Sequence, residues 1–277
     1  MSLSLDRLQA LRRQSGTTTP APPTPHVEAV DPLQDQLARL RILLRVKHGP
    51  VPRIAPATDR TIPGTEIAPG LWVQEECLPL EMAWPSDLDG TFDRREPIPT
   101  RDLLFFDTET TGLAGGTGTR AFMIGGADVT TTGLRIRQLT IANTSAEPAM
   151  LDAFRAWLSP TTILASYNGK SYDAPLLKTR YRLMRQVEPL SGLAHVDLLY
   201  PSRRRYRGVF ENCRLATIER RVLGIVREDD LPGSEAPGAW LSYLRGGSAH
   251  LLRRVMEHNR QDVISLARLA LHLAVPV

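Results

Sequence analysis

Cysteine is scarce in this sequence of 277 residues, in which Cys77 and Cys213 are the two that occur. Two cysteines build neither the disulfide framework of a small secreted domain nor the ligand spacing of a structural zinc site, so a reducing compartment is favoured. No run of about 18 apolar residues occurs, which argues against a membrane-spanning helix. The N-terminus lacks the basic, then apolar, then small-residue order of a secretory signal. We therefore expect a cytoplasmic protein.

Charge is divided unevenly between the two parts of the sequence. Residues 1–100 contain 11 Lys and Arg against 13 Asp and Glu, whereas residues 101–277 contain 23 against 17. The first part is slightly acidic and the second is basic. A basic segment of this length suits a polyanionic partner such as a nucleic acid, and nothing in the composition points to a membrane surface.

Proline is concentrated in the first hundred residues. Residues 14–30 are typical of a flexible linker. Asp31 and Pro32 are typical of the start of a helix, and Gly49 with Pro50 of its end. This predicted helix, at about 31–48, carries on one face a leucine stripe consisting of Leu33, Leu37, Leu40 and Leu44. The stripe either docks on the rest of the chain or binds a protein partner.

The sequence predicts three parts. Residues 1–65 form a Pro-rich, partly disordered extension, residues 66–98 an irregular lead-in in which a hairpin is one option, and residues 99–277 the main domain. The strands predicted in the main domain are 103–107, 120–128, 134–141, 162–166 and 195–199, and the helices are 148–158, 174–186, 212–223, 237–246 and 249–273. Three strands followed by helix, strand, helix and strand is the order of an α/β, ribonuclease-H-like mixed sheet. We expect five strands with helices on both faces.

Two carboxylates, Asp107 and Glu109, stand two residues apart at the end of the apolar run 103–106. On a strand this spacing places both side chains on one face. Neighbouring carboxylates in a partly buried place repel each other, so they persist where a cation compensates them or where one is protonated. Mg²⁺ and Mn²⁺ prefer such oxygen ligands. Taken alone, the pair is better explained as an ordinary strand end with Glu109 in solvent.

Two later segments add two acids and a histidine. Asp173 follows the turn signal at 167–169 and precedes a helix pattern, where alone it would be an ordinary helix N-cap. His258 and Asp262 are four residues apart in a long helical pattern and therefore share one face. His258 can exchange a proton near neutral pH. Taken alone, the His258 and Asp262 pair would be a surface contact.

The three segments together are far more specific than each one alone. They are Phe106-Asp107-Thr108-Glu109-Thr110-Thr111-Gly112-Leu113, Tyr167-Asn168 through Asp173, and His258 through Asp262. In their order and in the element on which each lies, they resemble the three motifs of the DnaQ-like exonuclease superfamily. The stretch from Cys213 to Gly233, which includes Arg227-Glu228-Asp229-Asp230, is similar to the YprB-like branch of ribonuclease-H-fold domains. The resemblance covers residues 99–275.

This resemblance implies a metal-dependent 3′–5′ exonuclease that acts on the end of a DNA or RNA strand. Two Mg²⁺ or Mn²⁺ ions would be bound by Asp107, Glu109, Asp173 and Asp262. His258 would take a proton from the attacking water or orient that water. It stands four residues before Asp262, where the tyrosine class of the superfamily has its tyrosine, whereas the histidine class has its histidine five residues before. The role of general base is therefore left open.

Two other functions fit the same pattern. A structure-specific endonuclease is one, because a fold does not fix the mode of cleavage. A nucleic-acid-binding module that has lost catalysis is the other. All five positions of the implied site are filled by acids or by the histidine, which argues against lost catalysis.

The densest basic run is Arg203, Arg204, Arg205 and Arg207, with Tyr206 among them. Arginine pairs with phosphate, and an interleaved aromatic ring can stack on a base. The run directly follows a predicted strand, so we expect it to contact nucleic acid, and a solvated loop is the alternative.

Three further features of the sequence are weaker candidates for the site. Asn168 is either a substrate contact or a turn residue, and Tyr167 is a lesser candidate. The glycine-rich loop 112–119 lacks the Gly-Lys-Ser or Gly-Lys-Thr ending of a nucleotide-binding loop, so we interpret it as a hairpin connector. His195 and Asp197 are interpreted as structural.

Overall fold

The computed structural model of the protein describes residues 58–80, 83–112, 117–228 and 230–275. The predicted linker and the leucine-striped helix at 31–48 lie outside these residues, and the division of the chain into three parts stays a prediction. The strands of the described part, numbered in chain order, are β1 (Thr65–Ala68), β2 (Leu71–Leu78), β3 (Asp87–Leu88), β4 (Ile98–Pro99), β5 (Leu103–Thr110), β6 (Ala121–Val129), β7 (Leu134–Ile141), β8 (Ile163–Ser166) and β9 (Ala194–Asp197).

Seven of these strands form one mixed sheet in the order β1-β2-β7-β6-β5-β8-β9, and β3 pairs with β4 separately. The pairs from β1 to β5 are antiparallel, whereas β5–β8 and β8–β9 are parallel. The predicted mixed sheet is confirmed, but the predicted count of five strands was too low. The lead-in forms a β1–β2 hairpin, and β2 pairs with β7 along its whole length.

Helices cover both faces of the sheet. The α-helices of the described part, numbered in chain order, are α1 (Glu147–Arg155), α2 (Asp173–Leu183), α3 (Leu199–Tyr206), α4 (Leu215–Ile218), α5 (Ala236–Leu244) and α6 (His250–Ala274). The helix predicted at 212–223 is instead the short α4 followed by a π-helical turn at Glu219–Leu223. The basic run predicted to follow a strand lies on α3, which the sequence pattern did not indicate.

Strand β5 lies in the interior of the sheet between β6 and β8, and its first four side chains are buried on both faces. Leu104 and Phe106 belong to one apolar cluster, with residues of α1, α2 and α5. Leu103 and Phe105 belong to the other, with the second half of α6. A strand buried on both faces is apolar at every position, which explains the unbroken run Leu103–Phe106.

Helix α6 contributes to both clusters. Its first half packs Leu252 and Val255 into one, and its second half packs Val263 and Leu266 into the other. The residues between these two halves therefore lie where α6 passes from one face of the sheet to the other.

A buried ion pair joins α1 to α2. The guanidinium of Arg180 donates to both carboxylate oxygens of Glu147, at 2.5 and 2.8 Å, and both side chains are almost fully buried. Arg180 Nη1 also donates to the carbonyl oxygen of Thr117 at 2.9 Å. The pair thereby fixes α2 against the connection that leads into β6.

Helix α6 has 25 residues. Nevertheless, in the part of the chain that the structure describes, no helix combines the length and the apolar character needed to cross a bilayer.

We expect the stacked rings of Phe122 and Trp240 to be a major source of stability. Their centroids are 5.2 Å apart, their planes differ by 10°, and both side chains are buried. Phe122→Ala should lower the free energy of unfolding by about 3–5 kcal/mol, because truncation removes buried apolar surface and leaves a cavity. Urea unfolding followed by circular dichroism measures this change.

The matched control is Val187→Ala, because Val187 is 77% exposed. It should change the free energy of unfolding by less than about 0.5 kcal/mol. Equal losses for the two variants would contradict the prediction.

Candidate active site

The first two acids lie on the interior strand β5. Asp107 and Glu109 both belong to β5, as predicted. The register between β5 and β6 shifts immediately after Glu109, so the regular pairing ends where the acidic pair ends. Glu109 is 7% exposed and Asp107 is half-buried. Carboxylates in such a place need donors or a cation close by.

A buried amide chain binds Asp107. Asn259 Nδ2 donates to Asp107 Oδ2 at 2.9 Å, and Gln138 Nε2 donates to Asn259 Oδ1 at 2.9 Å. Gln138 Nε2 also donates to the carbonyl oxygen of Met256 at 2.7 Å. Gly125 of β6 makes room for Asn259, since a Cβ there would lie 2.1 Å from Asn259 Oδ1. The chain therefore joins β7, α6 and β5 through hydrogen bonds away from water.

Asp173 is the first residue of α2. Thr108 Oγ1, between the two acids of β5, donates a short hydrogen bond to Asp173 Oδ1. This bond brings the second predicted segment against the first.

Asp197 fixes the turn that precedes α2. This fully buried carboxylate accepts hydrogen bonds from the backbone N–H groups of Asn168 (2.7 Å), Lys170 (3.1 Å) and Leu199 (3.1 Å). Asn168 has a φ of 69°, a left-handed conformation that asparagine tolerates better than most residues. The structural role predicted for Asp197 agrees with these contacts.

His258 and Asp262 face each other on α6. His258 Nε2 lies 3.6 Å from Asp262 Oδ2, and His258 Nδ1 lies 2.7 Å from Asp230 Oδ1. Both side chains are largely buried, with 16% and 14% of their surfaces exposed. Asp230, which lies outside α6, is thus a second partner of the His258 imidazole.

Arg227 brings a positive charge to the same place. Its Nη2 donates a short hydrogen bond to Asp262 Oδ1, and its Nε and Nη2 bind the two oxygens of Glu219 at 2.8 and 2.5 Å. Glu219 is 1% exposed and also accepts a hydrogen bond from Ser265 Oγ at 2.5 Å. Burial opposes the charge of the guanidinium, but Glu219 and Asp262 raise the pKa of Arg227 above its usual value.

The four acids act on one another electrostatically. Burial raises the pKa of Asp107 well above its usual range, and repulsion from Asp262, Asp173 and Glu109 raises it further. Burial likewise raises the pKa of Glu109, followed by repulsion from Asp262 and Asp173. The charges of Asp173 and Asp262 therefore reach both acids of β5, which places the acids of the three predicted segments near one another.

The other two acids are partly compensated. Burial raises the pKa of Asp173 to about 6, and the hydrogen bond from Thr108 opposes this rise. Burial also raises the pKa of Asp262, against the attraction of His258 and Arg227.

The donor set fits hard divalent cations. Four carboxylates supply the oxygen ligands that Mg²⁺ and Mn²⁺ prefer, and their repulsion is what such a cation would relieve. Across residues 58–80, 83–112, 117–228 and 230–275, no three Asp, Glu, His or Cys side chains are arranged as a ligand group. Each of three acids has another partner: Asp107 binds Asn259, Asp173 binds Thr108 and Asp262 binds Arg227.

The residues predicted to bind substrate have different surroundings in the structure. The hydroxyl of Tyr167 donates to the carbonyl oxygen of Cys213 at 2.6 Å, so its polar end already has a partner. Arg203 and Arg207 are exposed. Arg204 donates to the carbonyl oxygen of Phe92 at 2.5 Å.

The neighbourhood of Arg203 links the basic run to the second segment. Burial raises the pKa of Tyr167, and the nearby charge of Arg203 opposes that rise. Arg205 is half-buried, with its guanidinium 5.9 Å from the centre of the Tyr206 ring. The contact of this run with nucleic acid stays a prediction.

Several residues around the cluster were not predicted from the sequence. They are Thr108, Gln138, Glu219, Arg227, Asp230 and Asn259. Asn259 follows His258 directly, and Arg227 and Asp230 belong to a stretch noted for its resemblance to one branch of the fold. No sequence pattern indicated Gln138, because its role depends on pairing between distant strands.

Three comparisons with known proteins bear on this arrangement. The family model of the RNase_H superfamily matches residues 104–274. The uncharacterized protein YprB of Bacillus subtilis (strain 168) is 37% identical over 174 residues, which are 62% of this chain and 42% of that protein. The family B DNA polymerase of the hyperthermophilic archaeon Pyrobaculum calidifontis is similar in structure with a TM-score of 0.48 at 16% identity, over 66% of this chain and 28% of that one.

A mixed sheet of this order, with acids on the interior strand β5 and helices on both faces, defines the class of ribonuclease-H-like proteins. The chain belongs to the RNase_H superfamily and to its YprB-like branch. The matched region is less than half of the Bacillus protein.

The raised carboxyl pKa values predict that the metal-free protein loses stability as pH rises. In the unfolded chain an aspartic acid loses its proton near pH 4, because its ordinary pKa is about 3.9. In the folded chain Asp173 keeps its proton to about pH 6. Asp107 also keeps its proton to a pH well above its ordinary pKa. Between these limits the folded state binds more protons, so the free energy of unfolding falls with pH.

Asp107→Asn should make this fall shallower, because the variant lacks the carboxyl with a strongly raised pKa. Urea unfolding in EDTA at intervals from pH 5 to pH 8 measures the effect, with Asp152→Asn as a control, since Asp152 is 50% exposed. The stability advantage of the variant over wild type should grow from pH 5 to pH 8. Parallel curves for wild type and Asp107→Asn would contradict the assignment.

Proposed function

We propose that this chain is a divalent-metal-dependent nuclease that removes nucleotides from the 3′ end of a DNA or RNA strand. The observation that carries the proposal is the convergence of four acids beside His258: Asp173 and Asp262 raise the pKa of Asp107 and of Glu109, and Thr108 binds Asp173. A cation bound among these carboxylates would relieve their repulsion, and strongly perturbed carboxyl pKa values are typical of functional sites.

The carboxylates would bind the cations. Asp107 and Glu109 come from β5, Asp173 from α2 and Asp262 from α6, so the site is assembled from three elements. Two Mg²⁺ or Mn²⁺ ions would lower the pKa of a water molecule and stabilise the charge on the phosphoryl and leaving oxygens.

His258 is suited to move the proton of the attacking water. The contact of 2.7 Å between its Nδ1 and Asp230 Oδ1 favours a proton on Nδ1, so Nε2 is the free basic nitrogen. Nε2 lies on the side of Asp262. Asp230 therefore orients the ring, as a carboxylate orients the histidine of other hydrolytic sites.

Substrate binding is proposed for the neighbouring residues. Asn168 lies on the turn before Asp173, and Tyr167 precedes it. The arginines of α3 and of its end, Arg203, Arg204, Arg205 and Arg207, would attract the phosphate backbone.

The mode of cleavage can be read from one assay. A single strand of DNA or RNA labelled at its 5′ end is incubated with Mn²⁺ or with EDTA. A ladder that shortens from the 3′ end, present with Mn²⁺ and absent with EDTA, is the expected result. Internal cuts would indicate an endonuclease, and retention of the strand without cutting would indicate a binding module.

We expect Asp107→Asn to remove metal-dependent cleavage, because it removes a charged ligand with little change of shape. Titration with Mn²⁺ in a calorimeter should show that the variant also loses metal binding. Asp152→Asn should bind and cleave as wild type does, since Asp152 lies on α1 and pairs with Arg155. Wild-type binding of Mn²⁺ by Asp107→Asn would exclude Asp107 as a ligand.

His258→Ala should lower kcat by about 10²- to 10⁴-fold, the usual contribution of a positioned acid or base. Its binding of Mn²⁺ should be retained, because the carboxylates remain. His250→Ala is the matched control, since His250 is an exposed residue at the start of the same helix. Unchanged kcat in His258→Ala would show that another group handles the proton.

A further inference from the structure

Arg227 is anchored by the buried carboxylate of Glu219. Its Nε and Nη2 form a two-point pair with Glu219 at 2.8 and 2.5 Å, and Glu219 is 1% exposed. Ser265 Oγ donates to the same carboxylate. A guanidinium held through a bidentate pair stays anchored at that carboxylate, while its remaining N–H groups can bind further acceptors.

Those remaining groups point into the candidate active site. Nη2 donates to Asp262 Oδ1, and Nη1 lies 3.2 Å from His258 Nδ1 and 3.5 Å from Asp230 Oδ2. One guanidinium thus contacts a proposed metal ligand, the proposed proton-transfer residue and the partner of that residue.

Arg227 and a divalent cation would compete for Asp262. An N–H donor and a cation require the same lone pairs of Oδ1, and two positive charges side by side repel each other. A cation bound by Asp262 would therefore turn the guanidinium away from this oxygen. Glu219, which is buried and bound at both oxygens, would keep Arg227 at the edge of the site.

Arg227 adjoins a cavity and lies on a segment without regular secondary structure. A cavity of about 260 Å³ adjoins it and is lined also by Val226, Leu231, His258 and Gln261. The segment from Gly224 to Pro232 forms no helix or strand in its described residues, and Val226 is 73% exposed. This segment can shift more easily than β5 or α6, which are packed along their lengths.

We propose that Arg227 is a substrate-binding residue of the reaction: it pairs with Asp262 before metal binds and contacts the phosphate of the strand once a cation has taken Asp262. The inference rests on the proposed function. Guanidinium and phosphate form charge-assisted, two-point hydrogen bonds, and Arg227 already lies beside the group that would activate the water.

The first test measures metal affinity. Mn²⁺ is titrated calorimetrically into wild type, Arg227→Ala and Arg220→Ala. Arg220 is the charge-matched control, because it lies on the same π-helical turn as Glu219 and pairs with the exposed Glu211. Arg227→Ala should bind Mn²⁺ about tenfold more tightly, because removing a hydrogen bond to a charged group frees the ligand oxygen. Arg220→Ala should bind it as wild type does.

The second test measures the phosphate contact. Binding of single-stranded DNA is followed at several salt concentrations with Ca²⁺ in place of Mn²⁺. Loss of one phosphate contact should reduce the slope of log K against log salt by about 0.7 in Arg227→Ala. With Mn²⁺, the same variant should show a fall in kcat/KM despite its tighter metal binding. Arg220→Ala should keep the wild-type slope and kcat/KM.

The outcomes separate the inference from the function on which it rests. Unchanged or weaker Mn²⁺ affinity in Arg227→Ala, or an unchanged salt slope, overturns the role of Arg227 while the nuclease proposal stands. A wild-type protein that neither binds Mn²⁺ nor cleaves overturns both.

A folding defect is guarded against by a second variant. Arg227→Ala leaves Glu219 buried without its partner, which can prevent folding, whereas replacing both members of a buried pair is tolerated better. The double variant Glu219→Gln with Arg227→Gln should bind Mn²⁺ more tightly than wild type in the same way. Wild-type affinity in the folded double variant overturns the inference.

Discussion

Repulsion among carboxylates is the constraint around which this protein is organised. Asp173 and Asp262 lie close enough to raise the pKa of Asp107 and of Glu109, and Glu109 is almost fully buried. Such an arrangement opposes folding unless other contacts offset it. The compensation comes from many directions: a threonine hydroxyl, an amide chain and a guanidinium each bind one acid. The packing of β5 against two apolar clusters supplies the rest.

The fold places the acids by means of rigid elements. Strand β5 cannot move independently because neighbours pair with it on both sides and side chains bury it on both faces. Helix α2 is fixed by the Glu147–Arg180 pair, and α6 by its contributions to both clusters. By contrast, Arg227 comes from an irregular segment. The proposed site is therefore carried by three rigid elements and one irregular segment. Such an arrangement suits a reaction in which ligand and substrate bind in turn.

Much of the fold could be predicted from the sequence because β5, β6, β7 and α6 have strong, regular patterns. The lead-in was predicted with a hairpin as one option, but its addition to the main sheet was not predicted, since β2 contains Gln74, Glu75 and Glu76 and its pairing with β7 joins distant parts of the chain. Helix α3 contains Pro201 and a basic run, which mask its helical pattern.

The acids and His258 could be found from the spacing and order of their segments. Their partners could not, because Gln138 and Glu219 reach the site only through tertiary contacts. His258 and Asn259, finally, are consecutive on α6, where neighbouring side chains diverge by about 100°. One faces Asp262 and the other faces β6. Inserting or deleting a single residue just upstream would turn Asn259 away from Asp107 and His258 away from Asp230, while the spacing of His258 and Asp262 would stay the same. The length of this stretch is therefore set by contacts that lie outside the helix.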